Sequence, residues 1–202
     1  MRLRRAWAGA ALLAALFPLS LAGCRHARSS GIGEAVNPAK TVQLSGVNWD
    51  GAPFRLSDHP GKVSVVFFGY TYCPDVCPFT LAKMKQVFAR LGHRAGDVQV
   101  VFVSVDPQRD TVEKLAHYVP GFDRRFYGLH LDPAALDETA KVFDVTVRYG
   151  QPKNGPDTPS FYLVDHTATF FLIDRQGRLR LKMPPSTTVE QIVPEIEALL
   201  AV

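Results

Sequence analysis

Sulfur is scarce in this chain. Its 202 residues include three cysteines and three methionines, too few thiols for the disulfide framework that holds small secreted scaffolds together. No Gly-x-Gly-x-x-Gly run and no phosphate-loop glycine pattern occurs, so nucleotide chemistry is unsupported. No internal repeat is present, and no dense Lys/Arg patch interleaves with aromatic residues, which removes the electrostatic footprint of a nucleic-acid binder. The net charge of +4 is inflated by Arg2, Arg4 and Arg5 at the start of the chain, without which it is near +1.

Those arginines precede an apolar run from Ala6 to Leu19 and then Leu21-Ala22-Gly23-Cys24. A basic start, an apolar stretch and small residues before a cysteine resemble a bacterial lipoprotein export signal, in which Cys24 becomes the lipid-bearing N-terminus. An uncleaved membrane anchor with a chance cysteine is the alternative. Either places the following domain outside the cytoplasm, and the first places it at the periplasmic face of the bacterial envelope as a membrane-anchored lipoprotein. The expected division is a signal peptide over 1–23, a flexible tether over 24–40, small, polar and without apolar period, and one domain over 41–202.

Within that domain the pattern predicts short strands at Thr41 to Leu44 and Phe54 to Leu56, then a fully buried strand at Val63-Ser64-Val65-Val66-Phe67-Phe68. Leu81, Met84, Phe88 and Leu91 recur at helical spacing, with Met84 a core residue rather than a metal ligand. A second buried strand is expected from Val98 to Val105 and a helix from Thr111 to Tyr118. Phe126 to Leu129 reads as a strand, and a helix follows to Phe143 with Asp132 as its cap. After a loop-rich stretch from Val147 to Asp157, strands are expected at Phe161 to Val164, Thr169 to Ile173 and Leu179 to Leu181, then a last helix from Val189 to Leu200. The sum is an α/β fold, a mixed sheet flanked by helices.

With Cys24 assigned to lipid, Cys73 and Cys77 remain as a pair in Cys73-Pro74-Asp75-Val76-Cys77-Pro78, directly after the buried strand. A loop there lies at the carboxyl edge of the sheet, where the next helix points its N–H groups outward. Thiols at such helix N-termini have pKa values lowered from about 8.5 to about 3.5–7.5. The pair is poised to react or to bind a soft metal. In an oxidising compartment it tends to close as a disulfide unless a reductant or a metal protects it. His166, in Tyr162-Leu163-Val164-Asp165-His166, is the leading candidate for a third ligand, against the plain reading of a surface histidine at a strand start. Two thiolates and one imidazole suit copper, whereas zinc wants a fourth ligand. His26, His59, His93, His117 and His130 lie in tether, turn or helix-end contexts.

Three segments, Gly69 to Pro78, Ser104-Val105-Asp106-Pro107-Gln108-Arg109-Asp110-Thr111 and Val164-Asp165-His166-Thr167, resemble signatures of the Sco/SenC family in order and spacing. The resemblance runs from about Val42 to the C-terminus, with Val112 standing where many relatives place proline. It implies a thioredoxin-like fold. It further implies a copper site, Cu(I) or Cu(II), made by Cys73, Cys77 and His166, which serves a metallochaperone in delivering copper to, or preparing the thiols of, the binuclear copper centre in the copper-bearing subunit of cytochrome c oxidase. A copper donor and a thiol reductant are implied as further partners. Asp75 and Asp165 are candidates to orient ligands or partners, because outer carboxylates commonly fix an imidazole. Asp106 and Arg109 follow the second signature and are not read as ligands. The loop from Tyr149 to Ser160 is a candidate to gate the site or select the partner.

Two other readings of the thiols stay open. One is an exported thiol-disulfide oxidoreductase in which Cys73 and Cys77 are the redox pair; the other is a structural disulfide, which leaves the His166 segment unexplained. The Cys-x-x-Cys of thioredoxins is absent, and Tyr70 rather than threonine stands three residues before Cys73, which removes the peroxiredoxin arrangement.

Overall fold

The computed structural model describes residues 32–151 and 162–202. Cys24, the segment expected to be an export signal, the first part of the expected tether and most of the loop from Tyr149 to Ser160 lie outside the described residues. Among the described residues, ten strands and four α-helices follow one another as β1 (Glu34–Thr41), β2 (Ser45–Asn48), β3 (Pro53–Arg55), β4 (Val63–Gly69), α1 (Val76–Leu91), β5 (Val98–Ser104), α2 (Val112–Tyr118), β6 (Tyr127–His130), α3 (Pro133–Phe143), β7 (Val147–Tyr149), β8 (Val164–His166), β9 (Phe170–Ile173), β10 (Arg178–Met183) and α4 (Val189–Leu200).

Eight strands form one mixed sheet in the order β1-β10-β9-β4-β5-β6-β2-β3. β4 and β5 lie at its centre as a parallel pair, in register from Val63 opposite Val98 to Gly69 opposite Ser104. Every residue of both strands is buried. That is why their sequences are continuous apolar runs rather than alternations: both faces of the pair are covered. Successive side chains take opposite faces. Phe68 meets Phe143 of α3 at 5.5 Å between ring centroids, while Gly69, one residue on, faces Cys77 of α1. Helices therefore cover both faces of the sheet.

Helix starts are set by side chains. Thr111 accepts from the Lys114 N–H at α2, Asp132 accepts from the Ala135 N–H at α3, and Thr188 and Gln191 form a reciprocal capping box at α4. Met84 is fully buried in the core.

Three expectations shift. Glu34 to Lys40, assigned to the tether, belong to β1, which pairs antiparallel with β10 across an irregular register between Ala35 and Lys40. An edge strand interrupted by Pro38 shows no clean alternation, so its sequence reads as spacer. Val42 and Leu44 are buried, but they lie in the connection, and the strand follows at Ser45–Asn48. Their apolar alternation marks burial rather than a ladder. The strand expected at Phe161 to Val164 begins at Val164, with Phe161 outside the described residues.

β7 and β8 form a separate two-stranded antiparallel sheet, with Val147 opposite His166 and Tyr149 opposite Val164. His166 is thus carried on a hairpin that, among the described residues, no backbone ladder ties to the main sheet.

Candidate metal centre

The carboxyl end of β4 is where the candidate ligands meet. β4 ends at Gly69, and the chain turns through Tyr70, whose carbonyl accepts from the Cys73 N–H at 3.2 Å. α1 begins at Val76, so Cys77 is helical and Cys73 sits in the loop before it, rather than both lying on one turn of helix. Cys77 is buried and Cys73 half-buried, both as free thiols. Pro78 is the third helical residue, where a missing N–H costs no intrahelical bond.

Gly69 makes room for the pair. A Cβ on this residue would stand 2.8 Å from Cys77 Sγ and 2.6 Å from Phe102 Cε2, both well inside van der Waals contact. The sulfur is seated directly against the strand backbone. One residue earlier, the Phe68 carbonyl oxygen lies 3.1 Å from His166 Nε2, while the Val164 carbonyl lies 3.1 Å from His166 Nδ1. The Tyr70 ring meets the imidazole edge to face at 5.8 Å. Two consecutive residues of β4 therefore touch two of the three candidate ligands.

The imidazole is parked between carbonyls in this arrangement. With a carbonyl oxygen at hydrogen-bond distance from each ring nitrogen, the imidazole gives up one of these contacts to ligate a metal. Among the described residues no three His, Cys, Asp or Glu side chains converge closely enough to hold a metal as they stand. The donor set nevertheless suits a soft ion: two sulfurs in contact and an imidazole at the same strand end.

The thiols are electrostatically unequal. Cys73 is lowered to about 5, first by the hydrogen bond that Cys77 donates to it, with further help from the Asp75 and Cys77 backbone N–H groups and the charge of His166, against a desolvation cost. Cys77 is pushed strongly up, by holding that proton for Cys73 and by burial. One proton is shared by the pair, and the exposed sulfur is the thiolate. The rate of Cys73 alkylation in the reduced protein is expected to rise with a midpoint near pH 5 and stay level to neutrality. In Cys77→Ala the largest cause is gone, so the midpoint climbs toward an ordinary thiol value, which a pH series with iodoacetamide and mass spectrometry would read.

Asp75 occupies the N-cap position of α1 without a side-chain capping bond, and it acts on Cys73 through its backbone N–H. Asp165 is exposed on β8, in register with Arg148. The groups facing the imidazole nitrogens are the Phe68 and Val164 carbonyls rather than the Asp165 carboxylate.

Asp110, ordinary within the second signature segment, takes its role from the fold. It is fully buried and binds Thr71 twice, from the backbone N–H at 2.9 Å and from the hydroxyl at 2.6 Å, and accepts from Ser104 Oγ at 2.7 Å. Thr71 lies two residues before Cys73, so this carboxyl ties the thiol loop to the end of β5. Burial raises its pKa. Asp110→Ala leaves these donors unpaired and is expected to cost about 2–3 kcal/mol in urea unfolding.

The family model described as SCO1/SenC matches residues 36–201. The chain belongs to the SCO1/SenC family. It is 33% identical over 184 residues to the human protein SCO1 homolog, mitochondrial, covering 85% of this chain and 59% of that protein. The first curated relatives are thus matched over only about three fifths of their length. The solution structure of apo Sco1 from Thermus thermophilus superposes with a TM-score of 0.74 at 39% identity, covering 86% of this chain and 99% of that one. The structure of Bradyrhizobium japonicum ScoI with copper bound gives 0.71 at 32% identity, over 80% and 99%. A thioredoxin-like α/β fold agrees with these neighbours. Among the described residues no helix is long and apolar enough to cross a membrane.

Proposed function

We propose that this SCO1/SenC protein binds copper through Cys73, Cys77 and His166 and passes it to an acceptor, the copper-bearing subunit of cytochrome c oxidase. The observation that carries the reading is the end of β4, where the Gly69 slot holds Cys77 Sγ and the next carbonyl back, that of Phe68, faces His166. Family membership and a copper-bound relative support the metal; the family resemblance supports the acceptor. Copper is cargo here. Transfer proceeds by ligand exchange, with the half-exposed Cys73 the sulfur an acceptor thiolate reaches first and the buried Cys77 the last to let go. The domain works outside the cytoplasm, held at the membrane by lipid on Cys24.

A second reading rests on the inequality of the thiols. An accessible low-pKa sulfur beside a buried partner also suits thiol-disulfide exchange, with Cys73 attacking and Cys77 resolving. The two uses exclude one another at any moment, because a disulfide has no thiolate to offer a metal.

Anaerobic titration of the reduced chain with Cu(I), beside His166→Ala, separates them. A single tightly held copper that the histidine substitution weakens, with disulfide formation unchanged, supports transfer. Ready thiol exchange without specific copper would replace it with the reductase reading.

A further inference from the structure

The hairpin that carries His166 is not part of the eight-stranded sheet; besides the three-residue link from His166 into β9, side-chain contacts hold it beside the cysteines. Several of those contacts meet at one residue. Arg109, from the loop after β5, donates through Nε to Asp106 Oδ2 and through a terminal nitrogen to the Tyr162 carbonyl at 2.9 Å. Its guanidinium lies 3.5 Å from the centre of the Tyr162 ring, 4.9 Å from that of Tyr72 and 5.8 Å from that of Tyr70. Tyr162 donates its hydroxyl to Asp106 Oδ1 at 2.7 Å. At the other strand of the hairpin, Tyr149 donates to the Val105 carbonyl at 2.8 Å.

Each aromatic neighbour of Arg109 leads to a candidate ligand. Tyr72 adjoins Cys73. Tyr162 lies four residues ahead of His166. The Tyr70 hydroxyl oxygen accepts from the Val164 backbone N–H, and its ring packs against the imidazole. We propose that Arg109, braced by Asp106 and Tyr162, is a positioning residue that clamps the histidine-bearing hairpin to the cysteine loop and so sets the reach of His166 to the copper held by Cys73 and Cys77. The inference rests on the copper reading above. It needs arginine in particular, because a planar guanidinium bonds a carboxylate and a carbonyl in its plane while stacking an aromatic ring on its face, and a lysine ammonium does not.

A plain structural ion pair between Arg109 and the buried Asp106 is the competing account. The test uses the full reduced chain with Cu(I), a competing chelator, and the variants Arg109→Lys, Arg109→Gln and Tyr162→Phe, each alone and with His166→Ala. Arg109→Lys and Arg109→Gln are expected to weaken Cu(I) about 10–100-fold, the usual cost of an outer partner of a metal ligand. Tyr162→Phe, which removes a single hydrogen bond and leaves the fold intact, is expected to weaken it less and in the same direction. In the His166→Ala background the Arg109 substitutions should add nothing, because the arginine acts through the imidazole. In metal-free protein, the His166 ring-proton NMR signals should move as the ring leaves the face of Tyr70.

Wild-type affinity in all three variants, or the same further loss with and without His166, would overturn the clamp while leaving the copper site standing. If His166→Ala itself binds as tightly as the parent, the imidazole is no ligand, and the clamp falls together with the three-ligand site.

Discussion

Serine at either Cys73 or Cys77 is expected to lower Cu(I) affinity by well over the ~10–100-fold that loss of an outer partner costs. A hydroxyl stays protonated at neutral pH and is a hard donor where the metal wants a soft one. The two substitutions should differ in kind. Cys73→Ser removes the half-exposed thiolate that an incoming donor or acceptor meets first, so copper exchange with an external thiol should slow as well as weaken. Cys77→Ser removes the buried sulfur and weakens the hydrogen bond that contributes most to keeping Cys73 near 5, so the remaining thiol should also alkylate more slowly at pH 6. Chelator competition reads the first effect and alkylation the second. Equal, modest losses in both variants would mean that copper sits elsewhere.

Gly69→Ala should also be damaging although it removes no donor atom. The added methyl meets Cys77 Sγ and a Phe102 edge at 2.8 and 2.6 Å, and Phe102 is fully buried in the core, in register with Phe67 on the adjacent strand. The ring has nowhere to go, so the sulfur moves. Restoring an ordinary ~3.5–4.0 Å contact displaces it by more than the tolerance of about 0.2 Å that metal–ligand distances allow. The expected result is a loss of about 1–3 kcal/mol from overpacking, read by urea unfolding, with a fall in Cu(I) affinity of at least ~10-fold. A variant that binds copper like the parent would show that the Gly69 slot is packing alone.

Much of this was legible before the fold was known, and the reasons are local. The β4 and β5 runs announce themselves because a doubly covered strand needs apolar residues at every position. α1 does so through its 3.6-residue period and α3 through its cap at Asp132, while Thr111, read as the first residue of α2, proves to be its cap. β1 was hidden, since an edge strand gains its ladder from β10 rather than from its own side chains. At the site, Cys73 and Cys77 stood out by spacing and by the helix that follows them, and His166 by its segment. Gly69, Asp110 and Arg109 did not. A glycine at the end of a strand, an aspartate near a helix start and an arginine in a turn are ordinary by sequence, and their roles exist only through what packs against them.

The sequence by itself determined the family, the α/β order of elements and the thiol pair at a helix N-terminus, because each rests on periodicity or on residues close along the chain. Tertiary structure alone decided which thiol carries the proton, that the imidazole is parked on the Phe68 carbonyl, and that Arg109 joins the hairpin to the cysteine loop. Those depend on burial and on contacts between residues far apart in the chain, which folding creates and no local pattern encodes.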